Sequence, residues 1–211
     1  MGGAGDGGAD GPAGAVARAP RTKRGERTRA ALIDAAAAEF GEKGFHATGI
    51  TDITRRAGVA LGSFYTWFDS KEAIFRAVVA DMSGRVRDAV APRLAGVEGA
   101  LAREAAALAA FLEVVARERL LYRIIDEAEF VAPDAHRAHY ETTVGRIAER
   151  LRAGAAAGEL RDGVGEVEAW AVAGMNVFLG LRYVLWAGDG DPGADEVVAR
   201  ANLLLAEGLG R

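Results

Sequence analysis

Within residues 47–74 lie six side chains that can donate hydrogen bonds from positions on or beside helix starts: Thr48, Thr51, Ser63, Tyr65, Thr66 and Lys71. Free backbone N–H groups at such starts already favour phosphate, so hydroxyls and an ammonium there suit contact with a nucleic-acid backbone. Leu61, Gly62 and Ser63 would open a short helix whose leading end can enter a major groove. There a glycine admits close backbone approach, a serine bonds either base edge, and a leucine meets a thymine methyl. Thr48 and Ser63 also read as ordinary helix caps, and capping is compatible with a phosphate contact.

These groups need a rigid support, and the apolar spacing supplies one. Phe40, Phe45, Ile50, Ile53, Ala57, Val59, Phe64, Phe68 and Ile74 fall on the inner faces of short helices that would be marginal alone and stable only when packed together. The pattern predicts a first helix over 26–42 with Gly44 as its stop, and a second from Thr48, its N-cap, to Ala57. Gly58 then makes the turn, and a third helix covers 61–68. Asp69 with Glu72 forms a capping-box pattern for a fourth, which continues to about residue 87 and stops before Pro92.

The run GVALGSFYTWFDSKEAIF (58–75) resembles the signature of tetracycline-repressor-like (TetR/AcrR) transcriptional regulators, G-V-x-x-G-x-x-Y-x-[HYW]-F-x-x-K-E-x-[LI]. The preceding GFHATGITDITRRA is similar to that family's second-helix segment, so the likeness covers about residues 26–76. It implies a helix-turn-helix unit in which Thr48 caps helix two against phosphate, Leu61, Gly62, Ser63 and Tyr65 face the groove, and Trp67 and Lys71 touch phosphate. Trp67 stands where histidine or tyrosine is commoner, though its indole N–H can still donate. The resemblance further implies a homodimer on a pseudo-palindromic operator, whose C-terminal helices bind a small molecule. Repression relieved by that effector is the corresponding mode of action.

The rest of the chain also reads as helical, with no period-2 alternation, so the expected fold is all-α: a three-helix DNA-binding unit followed by a helical ligand-binding and dimerisation domain. Leu101, Ala105, Leu108, Leu112 and Val115 mark one helix; 120–128 is another, ended by Pro133; 134–157 is amphipathic; 166–187 is apolar nearly all round; 195–209 is last. The segment 169–188 is long enough to span a bilayer, but Arg182 near its middle would cost about 2.5–3.5 kcal/mol on insertion. A helix apolar on every side must instead be covered by protein. A second subunit is the economical cover, which predicts a dimer through 166–187 and 195–209, with Val197, Val198, Ala201, Leu204 and Leu205 as a further strip.

Polar residues inside these apolar helices nominate a ligand site: Tyr122, Arg123, Glu127, Glu129, His136, His139, Tyr140, Asn176 and Arg182. A mixed apolar and aromatic cavity suits a hydrophobic or amphipathic effector. Two histidines three apart offer too few ligands for a metal, and no cofactor is expected. A phosphate-cradling loop with Lys-Ser/Thr, G-x-S-x-G and H-E-x-x-H are all missing, so catalysis is not expected. The competing class is a helical small-molecule-binding protein or enzyme without specific DNA binding.

Charge divides the chain in the same way. Residues 18–76 carry eleven Lys/Arg against seven Asp/Glu, whereas 77–211 carry fifteen against twenty-one. Only the front therefore suits a polyanion, and the basic segment 18–29 could lie along phosphates or in the minor groove. Residues 1–20 are Gly/Ala-rich with too little apolar surface to order themselves; their G-A-G-D-G-G matches a dinucleotide motif but lacks the flanking strand and helix. The expected division is thus 1–20, 21–76 and 77–211. The absence of cysteine and of a secretory leader pattern gives the expectation of a cytoplasmic protein, and the 23 arginines against 3 lysines point to a GC-rich bacterial source.

Overall fold

Capping chemistry sets the helix ends. A computed structural model of the chain describes residues 22–210. The 1–20 tail, its glycine motif, and Arg18 and Arg21 of the basic segment lie outside the described residues. Thr22 starts α1 (Lys23–Lys43), its Oγ1 accepting from the Gly25 N–H at 3.1 Å. The helix stops at Gly44, whose φ of 85° is open to glycine at little cost.

α2 (Ile50–Ala57) and α3 (Leu61–Trp67) pivot about Gly58, in the left-handed region at φ 67° and ψ 31°. The Val59 N–H returns to the Thr54 carbonyl at 3.0 Å, closing the turn. α4 (Lys71–Arg93) follows. Two caps differ from the sequence expectation. Gly49, not Thr48, is the N-cap of α2, because the Asp52 carboxylate reaches back to the Gly49 N–H at 3.1 Å. Ser70 rather than Asp69 caps α4, its Oγ accepting from the Ala73 N–H at 3.1 Å.

α4 also runs through Pro92 instead of stopping before it. Only one residue of helix follows, so the missing N–H and the ring's clash with the preceding turn are absorbed where the helix is already loosening. Three-residue bonds from Leu94 N–H to Ala91 O and from Ala95 N–H to Pro92 O finish it.

The remaining helices are α5 (Ala100–Arg117), α6 (Leu121–Val131), α7 (Pro133–Ala156), α8 (Glu166–Gly180) and α9 (Ala194–Leu209). Pro133 starts α7 as well as ending α6, since the first helical position needs no N–H donor. The apolar 166–187 segment is not one uniform helix. After Gly180 it widens into a π turn over Leu181–Leu185, with the Trp186 N–H bonded to the Leu181 carbonyl at 3.0 Å. Among the described residues the fold is all-α, with one isolated β-bridge between Leu160 and Gly210. No helix among them is long and apolar enough to cross a membrane.

Three apolar clusters hold the molecule together. The first joins α1–α3 and the first half of α4 to Ile124, Ile125 and Ala128 of α6. Within it Phe40, Phe45 and Phe75 meet ring to ring with centroids 5.1–5.6 Å apart. The second packs α7 against α8, and the third packs α9 on α5. α4 passes position 76 unbroken, so the helix-turn-helix unit and the body share a strut rather than a linker.

Candidate DNA-contacting surface and ligand cavity

The leading end of α3 is open. Leu61 is 45% exposed and Tyr65 49%, Gly62 has nothing within 4 Å of where a Cβ would sit, and Ser63 is half-buried. The helix is held from behind by Phe64 and Phe68, both fully buried, with Tyr65 edge-on to Phe64 at 5.3 Å. Thr66 is exposed and its Oγ1 donates to the Gly62 carbonyl at 3.2 Å, leaving its lone pairs outward. Trp67 is half-buried, its ring lying over Gly25 of α1. That contact fixes the α1 N-terminus beside α3, where Lys23, Arg24 and Arg27 are exposed. Arg29 of the same basic segment lies over the ring of Phe68, the C-cap of α3, at 5.5 Å.

Two of the sequence-nominated contacts serve the scaffold instead. Thr48 is 1% exposed, and its hydroxyl donates to the Gly44 carbonyl at 2.8 Å, with Glu39 O at 3.1 Å. A hydroxyl committed there cannot reach a phosphate. Lys71 donates to the Phe45 carbonyl at 2.8 Å and the Thr48 carbonyl at 2.9 Å, and its ammonium sits 4.3 Å from the Phe45 ring centroid. It therefore clamps the α1–α2 turn to the start of α4.

The same turn is gripped from the body. On α6, Glu127 accepts from the Phe45 N–H at 2.8 Å, and Arg123 donates to the Gly41 and Glu42 carbonyls at 3.1 and 3.0 Å. Arg76 of α4 and Asp134 of α7 add an ion pair at 3.0 Å. Arg123 and Glu127 were nominated for the ligand site; they face the helix-turn-helix unit instead. Arg182 is also misplaced there, because it is turned outward and bound bidentately to Asp191 at 2.7 and 2.8 Å.

A cavity of about 290 Å³ lies between α4, α5, α6, α7 and α8. Of the nominated residues Tyr122, His139, Tyr140 and Asn176 line it and Glu129 and His136 do not; Asp126, Phe111 and four arginines that were not nominated line it too. Tyr122 donates to the Val177 carbonyl of α8 at 2.6 Å, and burial holds its phenol well above the usual range. His139 shares a hydrogen bond with Ser83 of α4 at 2.5 Å. Burial, with His136 and Arg146 nearby, lowers its pKa to about 4, so it is neutral at pH 7. Burial also raises Asp126. On α7 the lining residues His139, Thr143, Arg146 and Arg150 recur at three- and four-residue spacing, a polar stripe legible only once α7 is known to face a hollow. No group of three or more His, Cys, Asp or Glu among the described residues could hold a metal.

The outer faces of α8 and α9 are apolar and uncovered: Val167, Trp170, Phe178, Leu203 and Leu204 are exposed. Val197 and Ala201, expected in the interface strip, are instead 3% exposed against Leu108 and Leu112 of α5.

Residues 32–78 match the family model described as bacterial regulatory proteins, tetR family. The repressor KstR2 of Rhodococcus jostii is 43% identical over 76 residues, 34% of this chain and 36% of its own length. The activator FasR of Mycolicibacterium smegmatis is 33% identical over 120 residues, 57% of this chain and 54% of its own. The chain thus spans about a third to a half of the length of the curated relatives it matches. The fold is similar over nearly the whole body to the regulator FadR of Bacillus subtilis, solved with stearoyl-CoA. That comparison gives a TM-score of 0.73 at 18% identity, covering 85% of this chain and 98% of the other. Residues 32–78 thus carry the sequence likeness to the tetR family of bacterial regulatory proteins, and the likeness over the rest of the chain is one of fold.

Proposed function

We propose that the protein is a cytoplasmic, ligand-responsive transcriptional regulator, acting as a repressor, that binds a pseudo-palindromic operator as a homodimer. The observation that carries this is the unobstructed first turn of α3, where Leu61, Gly62 and Tyr65 project from a fully packed base. A single seven-residue helix reads too few bases for specificity. Two copies about 34–36 Å apart read two half-sites. The exposed stripe Val167, Trp170 and Phe178 on α8, with Leu203 and Leu204 on α9, supports dimerisation through 166–187 and 195–209.

α6 supplies a route from effector to DNA. Tyr122, Ile125 and Asp126 line the cavity, while Arg123 and Glu127 hold the turn that carries Phe45. An effector that prefers a shifted α6 moves that turn and changes the spacing of the two α3 helices; one that binds both geometries equally does nothing. The amphipathic stearoyl-CoA bound by the FadR relative supports an amphipathic effector here.

The test is a gel shift on genomic fragments with the wild type and Tyr65→Ala. The wild type should select particular fragments and release them when metabolite extract is added. The variant should bind them at least about tenfold more weakly with helicity and dimer retained, the loss expected for one groove contact. Normal binding by the variant would remove Tyr65 from the interface. A uniform shift of every fragment would leave only non-specific binding.

A further inference from the structure

We infer that the cavity takes an anionic amphiphile, a single alkyl or acyl chain ending in a carboxylate or phosphate, with Arg103 and Arg146 holding the head group. The inference rests on the effector role proposed for this cavity. The ionisable lining comprises Arg87, Arg103, Arg146 and Arg150 against Asp126 and Glu149, besides His139 and the tyrosines, in a chain whose net charge is −4. The arginines come from α4, α5 and α7: Arg146 lies beside Arg87, and Arg150 bonds Glu104, the chain neighbour of the exposed Arg103.

Their partners separate them into two kinds. Arg150 is held by Glu104, 3% exposed, through two bonds of 2.6 and 2.8 Å, and Arg87 pairs with Asp88 at 2.6 Å. Among the described residues Arg103 and Arg146 form no ion pair. Arg146 is half-buried beside Arg87; burial and that neighbour push its proton affinity down, partly offset by Asp88 and Glu149. A half-buried guanidinium with no direct carboxylate contact gains from an anion that accepts its planar fork.

The apolar lining includes Val90, Phe111, Ile125 and Val177. His139 and Arg146 stand seven residues apart on one face of α7, about 10 Å along the helix. At about 290 Å³ the space is at the lower end of ligand pockets, which suits one short chain rather than a fused-ring system. An apolar stem between a neutral aromatic end and a cationic end thus defines the ligand's chemistry.

Titration calorimetry of the full chain with octanoate, octyl phosphate and octanol tests this. Both anions should bind about tenfold or more tighter than octanol, the margin of a charge-assisted bidentate contact. Arg103→Gln and Arg146→Gln should bring the anions down to octanol's level while octanol is unaffected, and Val90→Phe, which fills the hollow, should weaken all three. The preferred head group shows whether a free carboxylate or a phosphate ester is the source. Octanol binding as well as the anions, or both glutamine variants keeping wild-type anion affinity, would overturn the head-group assignment and leave the cavity as an effector site. Failure of all three to bind would overturn the amphiphile. Operator release by metabolite extract would then show separately whether regulation stands.

Discussion

The reading unit and the body use polar groups in opposite ways. In the front, Thr48, Lys71, Glu127 and Arg123 all bond to backbone groups of one turn, and a cluster of phenylalanine rings packs beneath it. In the body, Tyr122, His139 and Arg146 line an open volume, and the bonds of Tyr122 and His139 cross from helix to helix. One region is fixed in shape so that it can be positioned; the other is hollow so that its helices can be repositioned. The proposed regulation would use both, joined by α4 and α6.

The largest effect should come from breaking the front's packing. Phe64→Ala removes a fully buried ring that backs the reading helix, and should cost about 3–5 kcal/mol in thermal or denaturant unfolding. DNA binding should disappear with it. A loss below about 1 kcal/mol would mean that α3 is held by something else.

Acid should find the body first. His139 has a pKa of about 4 in the folded chain against the ordinary 6.5, so only the unfolded state takes up its proton between those values. Stability is therefore complete above pH 6.5 and falls as pH drops towards 4, by at most about 3 kcal/mol. His139→Gln should flatten that part of the pH profile. An unchanged profile would remove His139 as its source.

Lys71→Met sharpens the comparison further. Losing the two carbonyl bonds should destabilise the fold by about 1–3 kcal/mol and weaken operator binding through a displaced turn. The slope of log affinity against log salt should stay as in the wild type. A slope smaller by about 1 would mean that the ammonium contacts phosphate after all.

Much of this architecture was legible in residue spacing, because Gly44, Gly58 and the phenylalanine series allow few alternatives. Cap identity was less so: Thr48 and Asp69 are good capping types, but each sits one residue before the true cap. Asp52 and Ser70 won by reaching the free N–H groups. Pro92 misled for a related reason, since it falls where a missing donor costs little. The cavity was half legible. Tyr122 and Arg123 are neighbours on α6 yet point to different partners, and composition cannot tell which way a helix faces. Arg103 and Arg146 carried no signal, because a surface arginine and a cavity arginine read alike until the facing helices are placed.

The most direct measurement is selection of bound sequences from a random duplex pool by the full chain. The account predicts enrichment of two inverted half-sites with centres about 10 base pairs or a multiple apart, matching two α3 helices on one face of DNA. Enrichment of a single unpaired half-site would contradict the dimer, and no enrichment at moderate salt would contradict sequence reading by α3 altogether.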